Sequence, residues 1–141
     1  MCIFCKIING DIPSKKVYED ENTLAILDIS QATKGHTLIL PKKHYANLLE
    51  INNDDYLNVM NAVKIVTSKL NKAFNPDGFN ILNNCNEAAG QTVMHFHVHI
   101  IPRYKNDDLK IEFTSHSYNL DEVLNQINEG SKNEWAISTC R

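Results

Sequence analysis

Three histidines stand at every second position of the run His95-Phe96-His97-Val98-His99-Ile100-Ile101, with apolar residues between and after them. In an extended chain alternate side chains share a face. The three imidazoles would therefore sit roughly 6 to 7 Å apart on one surface, with Phe96, Val98 and Ile100 turned into a core. The polar outer face of a half-buried strand accounts for the alternation, but gives no reason to choose histidine three times. Three imidazoles could bind zinc, yet side chains at i, i+2 and i+4 of one strand span too far to share an ion easily at about 2.0 to 2.1 Å. Nucleophilic chemistry at an imidazole is the favoured alternative.

A second group with chemical potential is Cys2-Ile3-Phe4-Cys5. A chain of 141 residues is long enough to bury a core without disulfide staples. In a reducing compartment Cys-x-x-Cys reads as metal ligands or as a redox pair. The redox reading expects the pair at a strand-to-helix turn of a βαβ unit, which the N-terminus does not offer. Cys85 and Cys140 read as unpaired thiols. There is no Gly-x-x-x-x-Gly-Lys-Ser/Thr loop and no Gly-x-Gly-x-x-Gly, so a bound phosphate would have to be held by the histidines rather than by a glycine-rich turn. No acidic cluster marks a catalytic magnesium site, and none is expected.

The elements that must position these groups follow from periodicity and turn residues. Residues 2–8 form a short helix ended by Asn9-Gly10. Residues 16–19 and 23–27 form a hairpin around Asp20-Glu21-Asn22. A third strand covers residues 36–40 and is stopped by Pro41. From Asn53 onward Tyr56, Met60, Val63, Leu70 and Phe74 recur at helical steps, with Asp54 and Asp55 in the first turn; this long helix ends near Asn75-Pro76-Asp77-Gly78. Residues 79–83 and 93–101 are the fourth and fifth strands, and Asn119 caps a helix that ends at Gly130. Three strands, a helix and two strands argue for an α+β fold with a mainly antiparallel five-stranded sheet. The expected organisation is one domain over residues 1–130 and a loose tail over 131–141, in which Trp135 makes a docking contact.

The formal net charge of −3 provides no global basic field, so nucleic acid is not an expected partner. No apolar run of about 18 residues and no leader pattern occurs. Neither a membrane span nor secretion is expected, and a cytoplasmic location is.

The pattern His-φ-His-φ-His-φ-φ, met in full by residues 95–101, resembles the signature of the histidine triad (HIT) family of nucleotide hydrolases and transferases. The flanks Gly90-Gln91-Thr92-Val93 and Pro102-Arg103, Asp28-Ile29 ahead of His36, and Pro41-Lys42-Lys43-His44 are similar to the same family, so the resemblance spans roughly residues 2–103. It implies a HIT-like fold and a catalytic role for His97. A neutral imidazole there would attack an α-phosphorus to give a nucleotidyl-histidine that water opens, while a backbone carbonyl holds the other ring nitrogen.

The resemblance further implies that His99 donates to the α-phosphate or leaving group, with His36 near the phosphate. Gln91 and Thr92 would stabilise developing charge, Asn84 would line the site, and Asp28 would accept from the ribose hydroxyls. Ile3, Phe4, Ile7, Ile26 and Leu27 would wall a purine slot. It implies a structural zinc on Cys2, Cys5, His44 and His95, as in mostly bacterial members, and a homodimer. The implied activity is hydrolysis at the α-phosphate of adenosine phosphoramidates or dinucleoside polyphosphates, releasing NMP. Two alternatives differ in class. One is a nucleotide-binding or protein-interaction module with incidental hydrolysis, which would bind without turnover. The other is a zinc hydrolase using the three histidines, which a chelator would silence without unfolding.

Overall fold

The computed structural model describes residues 2–139, the side chains beyond Ser131 excepted. The elements run α1 (Ile3–Ile8), β1 (Lys16–Glu19), β2 (Thr23–Leu27), β3 (Thr37–Pro41), α2 (Asn53–Phe74), β4 (Gly78–Leu82), a 3-10 turn (Glu87–Ala89), β5 (Val98–Arg103) and α3 (Leu120–Thr139). The five strands form one antiparallel sheet in the order β1-β2-β3-β5-β4. This is the α+β architecture expected from the order of periodic segments, with a long helix and a C-terminal helix.

Alternation along the strands divides the core in two. On one face Ala25, Ile39, Val98 and Ile100 pack with Phe96 against Val59, Ala62, Val63, Val66 and Leu70 of α2. On the other, Leu24, Ile26, Leu38 and Leu40 pack around Phe4 of α1. Helix α2 is 22 residues long and covers its face; α1 is only six residues and covers part of the other. The uncovered part is where β5 turns His99 outward, opposite Leu38 of β3.

Local chemistry fixes the ends of α2. The Asn52 side chain accepts from Asp55 N–H at 2.8 Å as an N-cap, and Asn75 closes the helix in the left-handed conformation. Gly35 turns the chain into β3 at φ +97°, where an added Cβ would stand 2.9 Å from the Phe74 ring and 3.1 Å from Pro102.

Two boundaries differ by several residues from the sequence expectation. The fifth strand begins at Val98 rather than residue 93, because Phe96 N–H is taken by Tyr45 O at 2.7 Å, so the chain at Phe96 bonds to the loop after β3 and not to a neighbouring strand. Helix α3 does not end at Gly130 but runs to Thr139. A lone helical glycine costs only about 1 kcal/mol relative to alanine, and Gly130 does not adopt the positive φ that would close a helix. Residues 131–139 are therefore helical; the side chain of Trp135, expected to make a docking contact, lies outside the described set. The chain divides into compact units at Met1–Leu109 and Lys110–Arg141, and every candidate site residue falls in the first.

Candidate active site and metal-ligating cluster

His97 and His99 line a cleft of about 350 Å³ on the α1 side of the sheet. Its apolar wall comes from Ile3, Phe4 and Ile7 of α1 and from Ile26 and Leu27 of β2, as expected, together with Leu38 and Val93. Asp28, Ile29, Ser30 and Thr92 complete the lining. A second hollow of about 550 Å³ shares Ile7, Ile26, Leu27, Asp28 and Ile29 and adds Pro13, Ser14 and Lys15. Among the described residues, no lysine or arginine lines the cleft beside His97.

The hydrogen bonds fix which ring nitrogen carries each proton. His97 Nδ1 lies 2.7 Å from His95 O; a carbonyl only accepts, so Nδ1 is protonated and Nε2 keeps its lone pair. The His97 backbone is held in turn by Asn83 Nδ2, which donates to His97 O at 2.9 Å. His99 is held the opposite way. Ala32 N–H donates to His36 Nδ1 at 3.1 Å, which places the His36 proton on Nε2. That nitrogen faces His99 Nδ1 at 2.9 Å and donates to it, leaving the His99 proton on Nε2. The two neighbouring rings, 5.0 Å apart between centroids, thus offer one bare nitrogen and one N–H.

Burial pushes His97 and His36 below the ordinary imidazole range. His99 is pushed down to about 4, by burial first and then by His97 and His36. All three are neutral at neutral pH. Asp28 closes the far side: Oδ1 accepts from Ser30 N–H at 2.8 Å, and Oδ2 lies 3.6 Å from His36 Nε2. Asp28, His36 and His99 are close enough to be considered as a metal triad. The 2.9 Å contact between the two rings and the Ala32 N–H on His36 make this a hydrogen-bonded chain instead, since metal binding at Nε2 would require a proton on the nitrogen that Ala32 occupies.

Three expected residues sit elsewhere. His36 is buried and does not line the cleft, touching two residues that do, His99 at 2.9 Å and Asp28 at 3.6 Å. Gln91 was expected in the catalytic machinery, but its amide is spent on the loop: Nε2 donates to Ala46 O at 2.7 Å and to Val93 O at 3.0 Å, while Oε1 accepts from Asn86 N–H at 2.7 Å. Asn84 reaches only Gly90 O, at 3.5 Å, and does not line the cleft; its neighbour Asn83 contacts the His97 backbone. Successive side chains beyond β4 point to opposite sides, and a pair of adjacent asparagines does not reveal which of them faces inward. Ile29, fully exposed after Asp28, carried a signal that was missed, as an isoleucine placed in a polar loop.

The remaining cluster lies on the other side of His95. His95 Nε2 donates to Pro41 O at 2.9 Å, which leaves Nδ1 as the free acceptor. It stands 3.2 Å from His44 Nδ1, 3.5 Å from Cys2 Sγ and 3.6 Å from Cys5 Sγ, with Cys5 Sγ 3.4 Å from His44 Nδ1. A tetrahedral zinc with its usual bond lengths requires ligand separations of about 3.3 Å for N to N and about 3.5 Å for S to N. The separations from His95 to the other three and from Cys5 to His44 meet both, all four ligand atoms lie within 4.8 Å of one another, and Pro41 O supplies the outer partner that orients a ligating imidazole.

An antiparallel sheet carrying paired neutral imidazoles over an apolar cleft defines a small α+β protein with a histidine-lined site. The HIT domain model matches residues 9–106, and the chain belongs to that family. It is 55% identical over 107 residues to Protein hit of Bacillus subtilis, covering 76% of this chain and 74% of that one. Over 72% of its length, and 74% of the relative's, it is 44% identical to adenosine 5'-monophosphoramidase hnt1 of Schizosaccharomyces pombe. It is 41% identical to adenylylsulfatase HINT3 of Arabidopsis thaliana, covering 89% of this chain and 65% of that protein. Among solved structures, a HIT family protein from Bacillus anthracis superposes with a TM-score of 0.87 at 45% identity, covering 94% and 96% of the two chains. A zinc-bound histidine triad family protein from Mycobacterium smegmatis does so with a TM-score of 0.74 at 37% identity, covering 82% and 84%.

Proposed function

We propose that this chain hydrolyses purine nucleotides of the form nucleoside-5'-phosphoryl-X, releasing NMP through a nucleotidyl-His97 intermediate. The observation that carries the reading is the 2.7 Å bond from His97 Nδ1 to His95 O, which leaves an uncharged nucleophilic nitrogen beside the cleft without need of a separate base. Attack of Nε2 on the α-phosphorus forms a P–N bond and expels X. Water then cleaves that bond and returns His97. The His99 N–H stabilises the phosphoryl oxygens or X as charge develops. Asp28 accepts from the ribose hydroxyls, and Ile3, Phe4, Ile7, Ile26 and Leu27 enclose the base. No metal enters these steps.

The charge of the lining narrows X. With no lysine or arginine among the described residues that line the cleft beside His97, and Lys15 only in the adjoining hollow, a leaving group of several negative charges would be poorly compensated, so an amine or sulfate suits the cleft better than an oligophosphate. The names of the hnt1 and HINT3 relatives support the same order. The test compares kcat/KM for adenosine 5'-phosphoramidate, adenosine 5'-phosphosulfate and diadenosine polyphosphates, in the native chain and in His97→Ala. Turnover of the first two, lost in the variant, is expected; binding without turnover would instead indicate a nucleotide-binding module.

The reading includes a structural zinc on Cys2, Cys5, His44 and His95, supported by the separations above and by the zinc-bound relative. Two thiols held as ligands suit a reducing cytoplasmic setting. It also includes a homodimer, for which β4 is the suited edge: among the described strands it pairs with β5 alone, and Ile81 on it is exposed.

A further inference from the structure

We propose that metal occupancy of the Cys2–Cys5–His44–His95 cluster and nucleotide occupancy of the His97 cleft are reciprocally linked through helix α1, so that the metal sets nucleotide affinity as well as stability. The inference rests on the zinc and nucleotide readings above.

Helix α1 belongs to both sites. Its six residues are too few to hold a helix by themselves, and Cys2, its N-cap, accepts from Cys5 N–H at 3.4 Å. Cys2 and Cys5 face His44 and His95, while Ile3, Phe4 and Ile7 wall the cleft. Phe4 lies between the two cysteines in sequence, and its ring meets His95 edge-on at 5.9 Å and His97 at 5.1 Å. His95 bridges the two sites a second time: its Nδ1 belongs to the cluster, and its carbonyl holds the His97 proton. An ion on the four ligands fixes α1 against the sheet. A nucleotide base packed on Ile3, Phe4 and Ile7 favours the same docked position. Two ligands that prefer one state of a shared element must each tighten the other by the same factor.

The test uses the full chain, with AMP and zinc as probes. AMP affinity is measured calorimetrically on zinc-loaded and zinc-stripped protein. Zinc affinity is measured by competition with a chromophoric chelator, with and without saturating AMP. Removal of zinc is expected to weaken AMP binding about tenfold or more, and AMP to tighten zinc by the same factor. Phe4→Leu keeps all four ligands; it is expected to bind zinc and melt cooperatively, with both factors reduced toward one.

AMP affinity that ignores zinc, zinc affinity that ignores AMP, or full coupling in Phe4→Leu each overturns the proposal. If the stripped chain no longer melts cooperatively, the zinc measurement on folded, loaded protein decides alone. Failure to bind AMP in any state would sink the nucleotide reading and the linkage with it, whereas tight AMP binding indifferent to zinc sinks the linkage alone.

Discussion

His97 and His99 are neighbours held as opposite tautomers, His97 by the backbone carbonyl of His95 and His99 by the side chain of His36, which substitution can remove. His97→Ala deletes the nucleophile, and turnover is expected to fall by at least about 10³-fold in single-turnover assays while the fold persists. His36→Ala removes the donor that fixes the His99 tautomer without touching the cleft wall. It is expected to lower kcat about tenfold, the worth of one hydrogen bond, with KM for the nucleotide little changed. The depressed pKa of His99 also has a stability sign. Its folded value of about 4 lies below the ordinary imidazole value near 6.5. Between these the unfolded chain binds a proton that the folded chain does not, so stability rises with pH across that window and is lost as pH falls through it. Urea midpoints measured from pH 7 to pH 4 should therefore decline, and less steeply in His99→Asn.

At the scale of elements, the junction of the loop before β3 with the end of α2 is tight at one atom. Gly35→Ala would place a Cβ against the Phe74 ring and Pro102 at a backbone angle that side chains rarely adopt. A loss of about 1–3 kcal/mol is expected from the overpacking, read as a lowered denaturant midpoint. The loop between the 3-10 turn and His95 depends on Gln91 in a different way. All three of its amide bonds are internal, so Gln91→Ala is expected to destabilise the protein and to affect catalysis only through loop position. Recovery of kcat under stabilising conditions would separate that role from a direct one.

At the scale of the whole molecule, the proposed zinc and the proposed pairing of two copies at the sheet edge each make a prediction. Chelation of zinc is expected to lower the melting temperature by more than about 5 °C, with His44→Ala reproducing the effect. An unchanged melting curve would argue against a structural metal. Ile81→Lys places a charge on the unpaired edge and is expected to yield a monomer by light scattering if β4 joins two copies. Among the described residues no helix is long and apolar enough to cross a membrane.

The alternation of imidazole and apolar residues from 95 to 101 was legible in the sequence because the two faces of an extended chain are a local property. It survives even where Phe96 pairs with a loop and not with a strand. The helical period of α2 and the turn residues around the strands were legible for the same reason. Which nitrogen His99 presents was not, because it depends on a partner remote in the chain: Ala32, four residues away, fixes the proton of His36, and His36 then acts on His99 across 63 residues. Nor was the fate of Gln91, whose polar groups read the same whether they face a ligand or the backbone of Asn86, Val93 and the distant Ala46. The approach of Cys2 and Cys5 to His95, 93 and 90 residues away, entered only through family resemblance, since spacing along a chain does not encode a meeting that the folded sheet alone creates.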